Sequence, residues 1–307
     1  MKNKANLFLF IKIILLGGVS YLLFLQLSRV KTDEWLNLEL KRPLFLILSV
    51  LLVFLNQGLE WLKWKKTILL INRYSLKKTN TLAYLAGVAT GLITPNMLGN
   101  FIGRIYYYHR EYRSSIILMT LLANFSQFFA SIFFGLLSLL LIKETPWGID
   151  LKAINLFLIA FCISILAFYF FFDKLNFKNF KRKKVYLKII HLLKNDKNYR
   201  FKILIISLIR HFVFTFQFWL MFNAFEDALN LDTFLWIWQI FLWTTLVPSL
   251  WFGKLVIRES IALLVLGSVG FGQVEILTSS ILIWIFNLVI PSLIGITICK
   301  QNTFEVE

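Results

Sequence analysis

Hydrophobic residues along this chain come in blocks of roughly 20, and short charged stretches separate one block from the next. A bilayer core about 30 Å thick requires helical spans of this length, so the pattern predicts membrane-crossing helices. The blocks run approximately over 7–27, 43–59, 81–103, 115–142, 153–172, 203–225, 233–252 and 260–298. Because the last block is long enough for two pieces, we expect about seven to nine helices in one all-α, polytopic membrane domain, residues 1–307.

Composition agrees with a membrane protein. Of the residues, 58% are hydrophobic and 16% charged, and the mean hydropathy is +0.72. The net charge of +17 could indicate nucleic-acid binding, but the basic residues lie in loops between apolar blocks, so positive-inside topology explains them and no nucleic acid is expected. Cys162 and Cys299 lie inside apolar runs without a metal-ligand spacing, and therefore no metal or cofactor is expected.

Loop charge predicts how the blocks are oriented. The segment 61–80 carries six Lys/Arg and no acid, and 173–202 carries eleven against two acids, so both are expected on the cytoplasmic side. The segments 28–42 and 143–152 are nearly balanced and 226–232 is acidic, so these three are expected outside. Both chain termini are then predicted to be cytoplasmic, with the first block as a retained span.

Two blocks are better explained as dips into the membrane than as full spans. Thr81–Ile93 is followed by Thr94-Pro95, and its 13 residues would form a helix of only roughly 20 Å. Phe234–Val247 likewise stops at Pro248-Ser249. Counting in order predicts about six full spans plus two re-entrant, broken helical hairpins, arranged as inverted halves at about 1–142 and 153–300 with a basic cytoplasmic loop at 173–202. This organisation is typical of secondary transporters.

The first break contains residues that could bind a lipid phosphate. Thr94 is a good N-cap and Pro95 fits a first helical position, so a half-helix is expected to begin here with unpaired N–H groups. Such a helix start attracts anions. Gly99 and Gly103 would let another backbone or a ligand approach closely. Alternatively Thr-Pro is an ordinary kink, the glycines only pack helices, and Arg104 extends to the membrane surface.

The second break repeats the order proline, glycine, arginine. Pro248, Gly253 and Arg258 follow one another at nearly the same spacing, now with Glu259 beside the arginine. Charges in an apolar region are costly unless paired, so they are candidates for function, although Arg258 and Glu259 could form only an interfacial ion pair. The predicted headgroup-binding residues are Thr94, Pro95, Gly99, Asn100, Gly103, Arg104, Arg210, Pro248, Gly253, Lys254, Arg258 and Glu259.

These two motifs resemble those of the transmembrane family named after lysylphosphatidylglycerol synthase and flippase. In that family the first motif reads T-P-x-x-x-G-E followed by Arg, and the second reads P-x-x-x-G-G-x-G-x-R-E. This chain has Asn100 in place of the glutamate, and it has Trp251, Phe252 and Lys254 where small residues are expected. The resemblance covers essentially the whole chain and implies a flippase-like membrane domain without the soluble synthase domain.

The resemblance implies a function in moving lipids. The expected substrate is an anionic, aminoacylated or isoprenoid-linked lipid of a bacterial cytoplasmic membrane, and the chain is expected not to be an enzyme. Two alternatives remain: an accessory subunit of a lipid-modifying enzyme, and a membrane enzyme that uses Asp33 and Glu34 as its carboxylate pair. Expected partners are therefore a phospholipid or lipid-linked substrate, with a lipid-modifying enzyme or a second copy of the chain as further candidates.

Overall fold

The computed structural model describes residues 32–92, 94, 99–142, 152–171, 190–194, 198–247 and 253–301, together with residues 21, 24, 28, 187 and 196. The described part is helical and contains no strand. Its helices are α1 (Thr32–Leu36), α2 (Pro43–Ile71), α3 (Lys77–Leu92), α4 (Gly99–Tyr106), α5 (Arg110–Leu141), α6 (Lys152–Phe171), α7 (Tyr199–Phe225), α8 (Leu231–Leu246), α9 (Gly253–Gly267), α10 (Gln273–Trp284) and α11 (Ile290–Gln301). A π-helical segment, Ile285–Val289, joins α10 to α11.

Four helical stretches among the described residues are long and apolar enough to cross a bilayer. They are α2, α5, α7 and the continuous stretch Gln273–Cys299, of 29, 32, 27 and 27 residues. The chain is therefore an integral, all-α membrane protein. α6 matches the predicted block at 153–172, whereas the predicted first span at 7–27 and most of the loop at 173–202 lie outside the described residues.

Helix α2 is longer than the sequence indicates. Hydropathy ends the block at residue 59 and assigns 61–80 to a loop, but the helix continues to Ile71, so the prediction is wrong for the first part of that segment. The reason is that Lys63, one turn after Glu60, is buried and its Nζ lies 2.7 Å from a carboxylate oxygen of Glu60. A lysine paired in this way can stay inside a helical bundle, although hydropathy counts it as a loop residue.

The first predicted break is present as a pair of antiparallel helices. α3 has 16 residues, or roughly 24 Å, which is less than a full span. A Cβ atom on Gly103 would overlap the Ala86 carbonyl and the Thr90 hydroxyl, and one on Gly99 would overlap the Thr90 carbonyl. The two glycines therefore allow α4 to pack directly on the backbone of α3, as the sequence predicts.

The second pair is formed by α8 and α9. α9 runs to Gly267, so the predicted last block, 260–298, contains two pieces, and residues 260–267 belong to this pair. The chain then turns at Gly270, whose φ of 97° favours glycine, and the last span starts at Gln273. Pro248, the predicted breaking residue, lies outside the described residues.

The helices pack in a pattern that crosses between the halves of the chain. α2 and α7 lie antiparallel along their length, with contacts from Ser49–Gln217 at one end to Thr67–Tyr199 at the other. α3 packs against α11, and α8 packs against α5. Thus α3, the first helix of one broken pair, contacts the last helix of the second half, and α8, the first helix of the other broken pair, contacts α5, the last span of the first half.

One end of the α2–α7 pair is tied together by surface charges. Arg42 forms an ion pair with Asp227, and its guanidinium lowers the pKa of that carboxyl, while Lys41 lies 3.1 Å from Glu226. These exposed pairs fix the end of α2 beside the loop after α7, and pairs of this kind contribute little to stability.

We expect Gly103→Ala to destabilise the protein by about 1–3 kcal/mol, because the added methyl group must push α4 away from α3. Thermal unfolding of the detergent-purified protein, followed by size-exclusion chromatography, measures the effect. Gly58→Ala is the matched control, since Gly58 also lies in a helix and nothing is within 4 Å of its added Cβ. Equal melting temperatures for the two variants would contradict the close α3–α4 packing.

Candidate functional site

A cavity of about 320 Å³ lies between the two broken helix pairs. Its wall includes the end of α3, the end of α8 and the start of α9, and it is completed by α2, α5, α7 and the π-helical segment. The lining is apolar on much of its surface, with aromatic and aliphatic side chains. Its polar members are Asn56, Thr94, Gln127, Ser131, Arg210, His211, Thr244, Thr245, Arg258 and Asn287. An apolar cavity with a few convergent polar groups is the usual form of a ligand site.

Arg258 brings a buried positive charge to this cavity from α9. Its side chain is 10% exposed, and its Nη2 lies 2.5 Å from Glu259 Oε1 and donates to the Ser280 carbonyl at 3.0 Å. Its Nε has no hydrogen-bond partner among the described residues. A buried guanidinium with an unused donor at a cavity wall is suited to bind an anionic oxygen.

Arg210 brings a second positive charge from α7. Its Nη1 donates to Gln127 Oε1 at 3.2 Å and lies 3.2 Å from Glu60 Oε2, while the side chain also lines the cavity. Arg210 is one of the headgroup-binding residues predicted from the sequence. The structure places it at the cavity, with its charge held between α2 and α5.

Glu60 is the centre of a buried charge cluster next to the cavity. Its carboxylate oxygens lie 2.7 Å from Lys63 Nζ, 3.2 Å from Arg210 Nη1 and 3.4 Å from Arg104 Nη2. The guanidinium of Arg104 also stacks over the Trp64 ring, 4.7 Å from its centroid. One carboxylate is therefore shared among three cations, and the cluster carries an excess of positive charge.

A hydrogen-bond network on the π-helical segment forms another side of the cavity. Asn287 accepts from Asn56 Nδ2 at 2.6 Å and donates to Gln217 Oε1 at 3.1 Å, while its carbonyl accepts from Gln57 Nε2 at 2.6 Å. A π-bulge releases backbone carbonyls from the regular ladder and is frequent at functional sites. The Asn287 carbonyl in this segment has a side-chain partner, and the last span is held against α2 and α7.

His211, beside Arg210, contributes an imidazole to the cavity wall. The ring stacks on Phe134 with centroids 5.4 Å apart, and Nδ1 lies 3.3 Å from the Ser131 hydroxyl. Its Nε2 has no hydrogen-bond partner among the described residues. No separate role is predicted for this histidine from the sequence.

The predicted site residues divide into two groups. Thr94, Arg210 and Arg258 line the cavity, and Glu259 is buried beside Arg258. Gly99, Asn100, Gly103 and Arg104 lie instead in the contact between α4 and its neighbours, so a direct contact of Arg104 with a ligand is not supported. Gly253 begins α9; Pro95, Pro248 and the side chain of Lys254 lie outside the described residues.

Thr94 is hydrogen-bonded to the described start of α4, and the predicted first helical position, Pro95, lies outside the described residues. Its hydroxyl accepts a hydrogen bond from the Gly99 N–H at 2.6 Å and lies 3.1 Å from the Thr90 carbonyl. The half-helix α4 starts at Gly99, five residues later in the chain. The first free N–H of α4 is thus bonded within the protein.

Sequence reasoning missed Glu60, Gln127 and Asn287. For Glu60 a signal was available, because Asn56, Glu60 and Lys63 recur at helical spacing within an otherwise apolar helix and so share one face. A polar stripe on a bilayer-length helix marks the side that faces other helices. Gln127 and Asn287 are single polar residues in apolar runs, and only their neighbours in three dimensions distinguish them.

A comparison with protein-family models identifies relatives of this chain. Residues 9–295 match the family model described as the lysylphosphatidylglycerol synthase TM region. The match covers most of the chain and confirms the resemblance seen in the two motifs. No curated protein matches the sequence.

We expect Glu60→Gln to destabilise the protein by about 3–5 kcal/mol, because it leaves the buried Lys63 and Arg104, and the partly exposed Arg210, without their shared carboxylate. Adding Lys63→Met should restore part of the loss, since it removes one of the three charges. Thermal unfolding in detergent measures both effects. Glu226→Gln, which breaks an exposed pair with Lys41, is the control and should cost less than about 1 kcal/mol. A Glu60→Gln protein as stable as this control would show that the cluster is not needed for folding.

Proposed function

The chain belongs to the lysylphosphatidylglycerol synthase transmembrane family, and on that basis we propose that it moves a phospholipid or lipid-linked substrate across a bacterial cytoplasmic membrane. Membership indicates a lipid-related function in a membrane. The proposed substrate is an anionic, aminoacylated or isoprenoid-linked lipid. The observation that carries the proposal is the cavity between the two broken helix pairs, lined by Arg210 and Arg258.

The cavity has the chemistry that a lipid headgroup requires. Two guanidinium groups can bind a phosphate, and the amide and hydroxyl groups around them can replace water on a polar headgroup. Apolar residues on the same wall, such as Phe214 and Leu288, suit the glycerol or first methylene groups of a lipid. The acyl chains would remain in the bilayer while the headgroup passes through the protein.

The packing of the helices supports an inverted repeat. α2 pairs with α7, α3 with α11, and α5 with α8, and each of these contacts joins one predicted half to the other. Two halves related by an axis in the membrane plane would give such reciprocal contacts. Rocking of one half against the other would open the cavity to each side of the membrane in turn.

Loop charge gives the proposed orientation. The basic segments around residues 72–78 and 173–202 face the cytoplasm, and both termini lie on the same side. A transporter is favoured over an enzyme. The enzyme hypothesis requires Asp33 and Glu34, which are exposed on the short helix α1 and are not among the residues that line the cavity.

The test is lipid scrambling in proteoliposomes with fluorescent phospholipid probes. We expect the wild-type protein to accelerate the movement of at least one probe class, and the double variant Arg258→Gln/Glu259→Gln to slow it at least about tenfold, because a charge that binds the phosphate is lost. Removing both members of the pair avoids leaving an unpaired buried carboxylate.

Lys41→Gln/Glu226→Gln is the matched control, since it also removes one ion pair but at the surface. It should scramble lipid at the wild-type rate. Wild-type rates equal to those of empty liposomes, with anionic, aminoacylated and isoprenoid probes alike, would reject transport and favour an accessory role beside a lipid-modifying enzyme.

A further inference from the structure

Among the described residues, the charges around the cavity do not balance, and the excess is positive. Glu60 lies within ion-pair distance of Lys63, Arg104 and Arg210, so this cluster carries three cations and one carboxylate. The pair Arg258–Glu259 balances itself. All of these side chains are buried except that of Arg210, which is 24% exposed and lines the cavity. The excess charge is therefore accessible from the cavity at Arg210.

An uncompensated charge in a membrane interior is expensive. A bound ligand with a net negative charge reduces this free-energy cost because it supplies the missing counter-charge next to Arg210. A zwitterionic ligand supplies no net charge, and its ammonium group must itself be placed near a carboxylate. The electrostatics of the cluster thus distinguish between classes of lipid headgroup.

No described cavity residue can serve as that carboxylate. The ionisable residues among the lining are Arg210, His211 and Arg258, and none is acidic. Glu60 and Glu259 lie behind this wall and are already paired with arginines. The two breaks, residues 93–98 and 247–252, contain no acidic residue in the sequence, so they cannot add one wherever they lie.

The remaining polar groups of the wall are neutral. Asn56, Gln127, Ser131, Thr244 and Asn287 present amide and hydroxyl groups, which can exchange hydrogen bonds with hydroxyl groups of a ligand. A phosphate linked to glycerol or to a sugar fits such a lining. An aminoacyl ester, which adds at least one ammonium group, has no partner of opposite charge there.

We propose that the cavity selects lipids whose headgroups combine a phosphate with hydroxyl groups and carry a net negative charge, and that it discriminates against aminoacylated and zwitterionic headgroups. The proposal rests on the transport function proposed above. Gln127 is its specificity-determining position, because its Oε1 accepts from Arg210 at 3.2 Å on the cavity wall.

Gln127→Glu tests the proposal with a nearly isosteric change. The new carboxylate would pair with Arg210 and cancel part of the excess charge, so the preference for anionic lipid should fall. Gln127→Met is the matched control, because it keeps the length of the side chain without adding a charge. The probes are phosphatidylglycerol, lysyl-phosphatidylglycerol and phosphatidylcholine, each measured by scrambling in proteoliposomes.

A second measurement separates binding from transport. Short-chain forms of the same three lipids are added to the detergent-purified protein, and the shift in melting temperature reports binding. We expect wild-type protein to scramble phosphatidylglycerol at least about tenfold faster than the other two lipids and to be stabilised by it alone. Gln127→Glu should reduce this ratio to near one. Gln127→Met adds no charge, so phosphatidylglycerol should stay the preferred lipid while the scrambling rate of all three lipids falls with the lost hydrogen bond to Arg210.

The outcomes distinguish the two proposals. Equal scrambling of all three lipids by the wild-type protein would overturn the charge selectivity and leave transport standing. Stabilisation by phosphatidylglycerol alone, lost in Gln127→Glu, would support the selectivity even if none of these three lipids is scrambled. Transport is rejected when the isoprenoid probe of the preceding test is not moved either. Neither scrambling nor stabilisation by any of the three lipids would overturn the charge selectivity, and together with an unmoved isoprenoid probe it would overturn transport as well.

Discussion

The carboxylate of Glu60 is the interaction on which the site depends. It joins α2 to α4 through Arg104 and to α7 through Arg210, and it keeps Lys63 inside the helix that carries it. In a membrane interior, each of these cations would be costly without a partner. Because this one carboxylate pairs with all three cations, it holds the α3–α4 pair against α2 and α7. It neutralises only one of the three positive charges, so a net positive charge remains at Arg210 on the cavity wall. The packing of these helices and the net charge at the cavity wall therefore both depend on the side chain of Glu60.

A second constraint is that backbone polar groups in a bilayer need partners within the protein. The short helices α3 and α4 meet this constraint by close packing at Gly99 and Gly103, and by hydroxyl groups of Thr90 and Thr94 that bond free backbone groups between the two helices. The π-helical segment meets it through Gln57, which donates to the carbonyl of Asn287. The irregular backbone near the cavity is thus hydrogen-bonded within the protein.

The family and the cavity contribute different parts of the functional conclusion. Membership in the lysylphosphatidylglycerol synthase transmembrane family indicates lipid chemistry in a membrane. The lining of the cavity narrows the proposed ligand, because it contains two arginines and no described carboxylate. A member of this family whose cavity lacks a group for an ammonium ion is better matched to a phosphate with hydroxyl groups. This difference arises from local charge balance, which can vary while the fold is kept.

The sequence by itself determined the class of fold and the position of the first break, and it singled out Arg210 and Arg258 as candidate site residues, because hydropathy, helix length and the cost of charge in an apolar run are local properties. It did not determine that α2 continues past Glu60, that α9 extends to Gly267, or that Arg104 pairs with Glu60 instead of lining the cavity. Glu60 and Arg104 are 44 residues apart, and Asn56 and Asn287 are 231 apart. Whether such polar residues face lipid, water or one another depends on which helices become neighbours, and only the tertiary structure decides that.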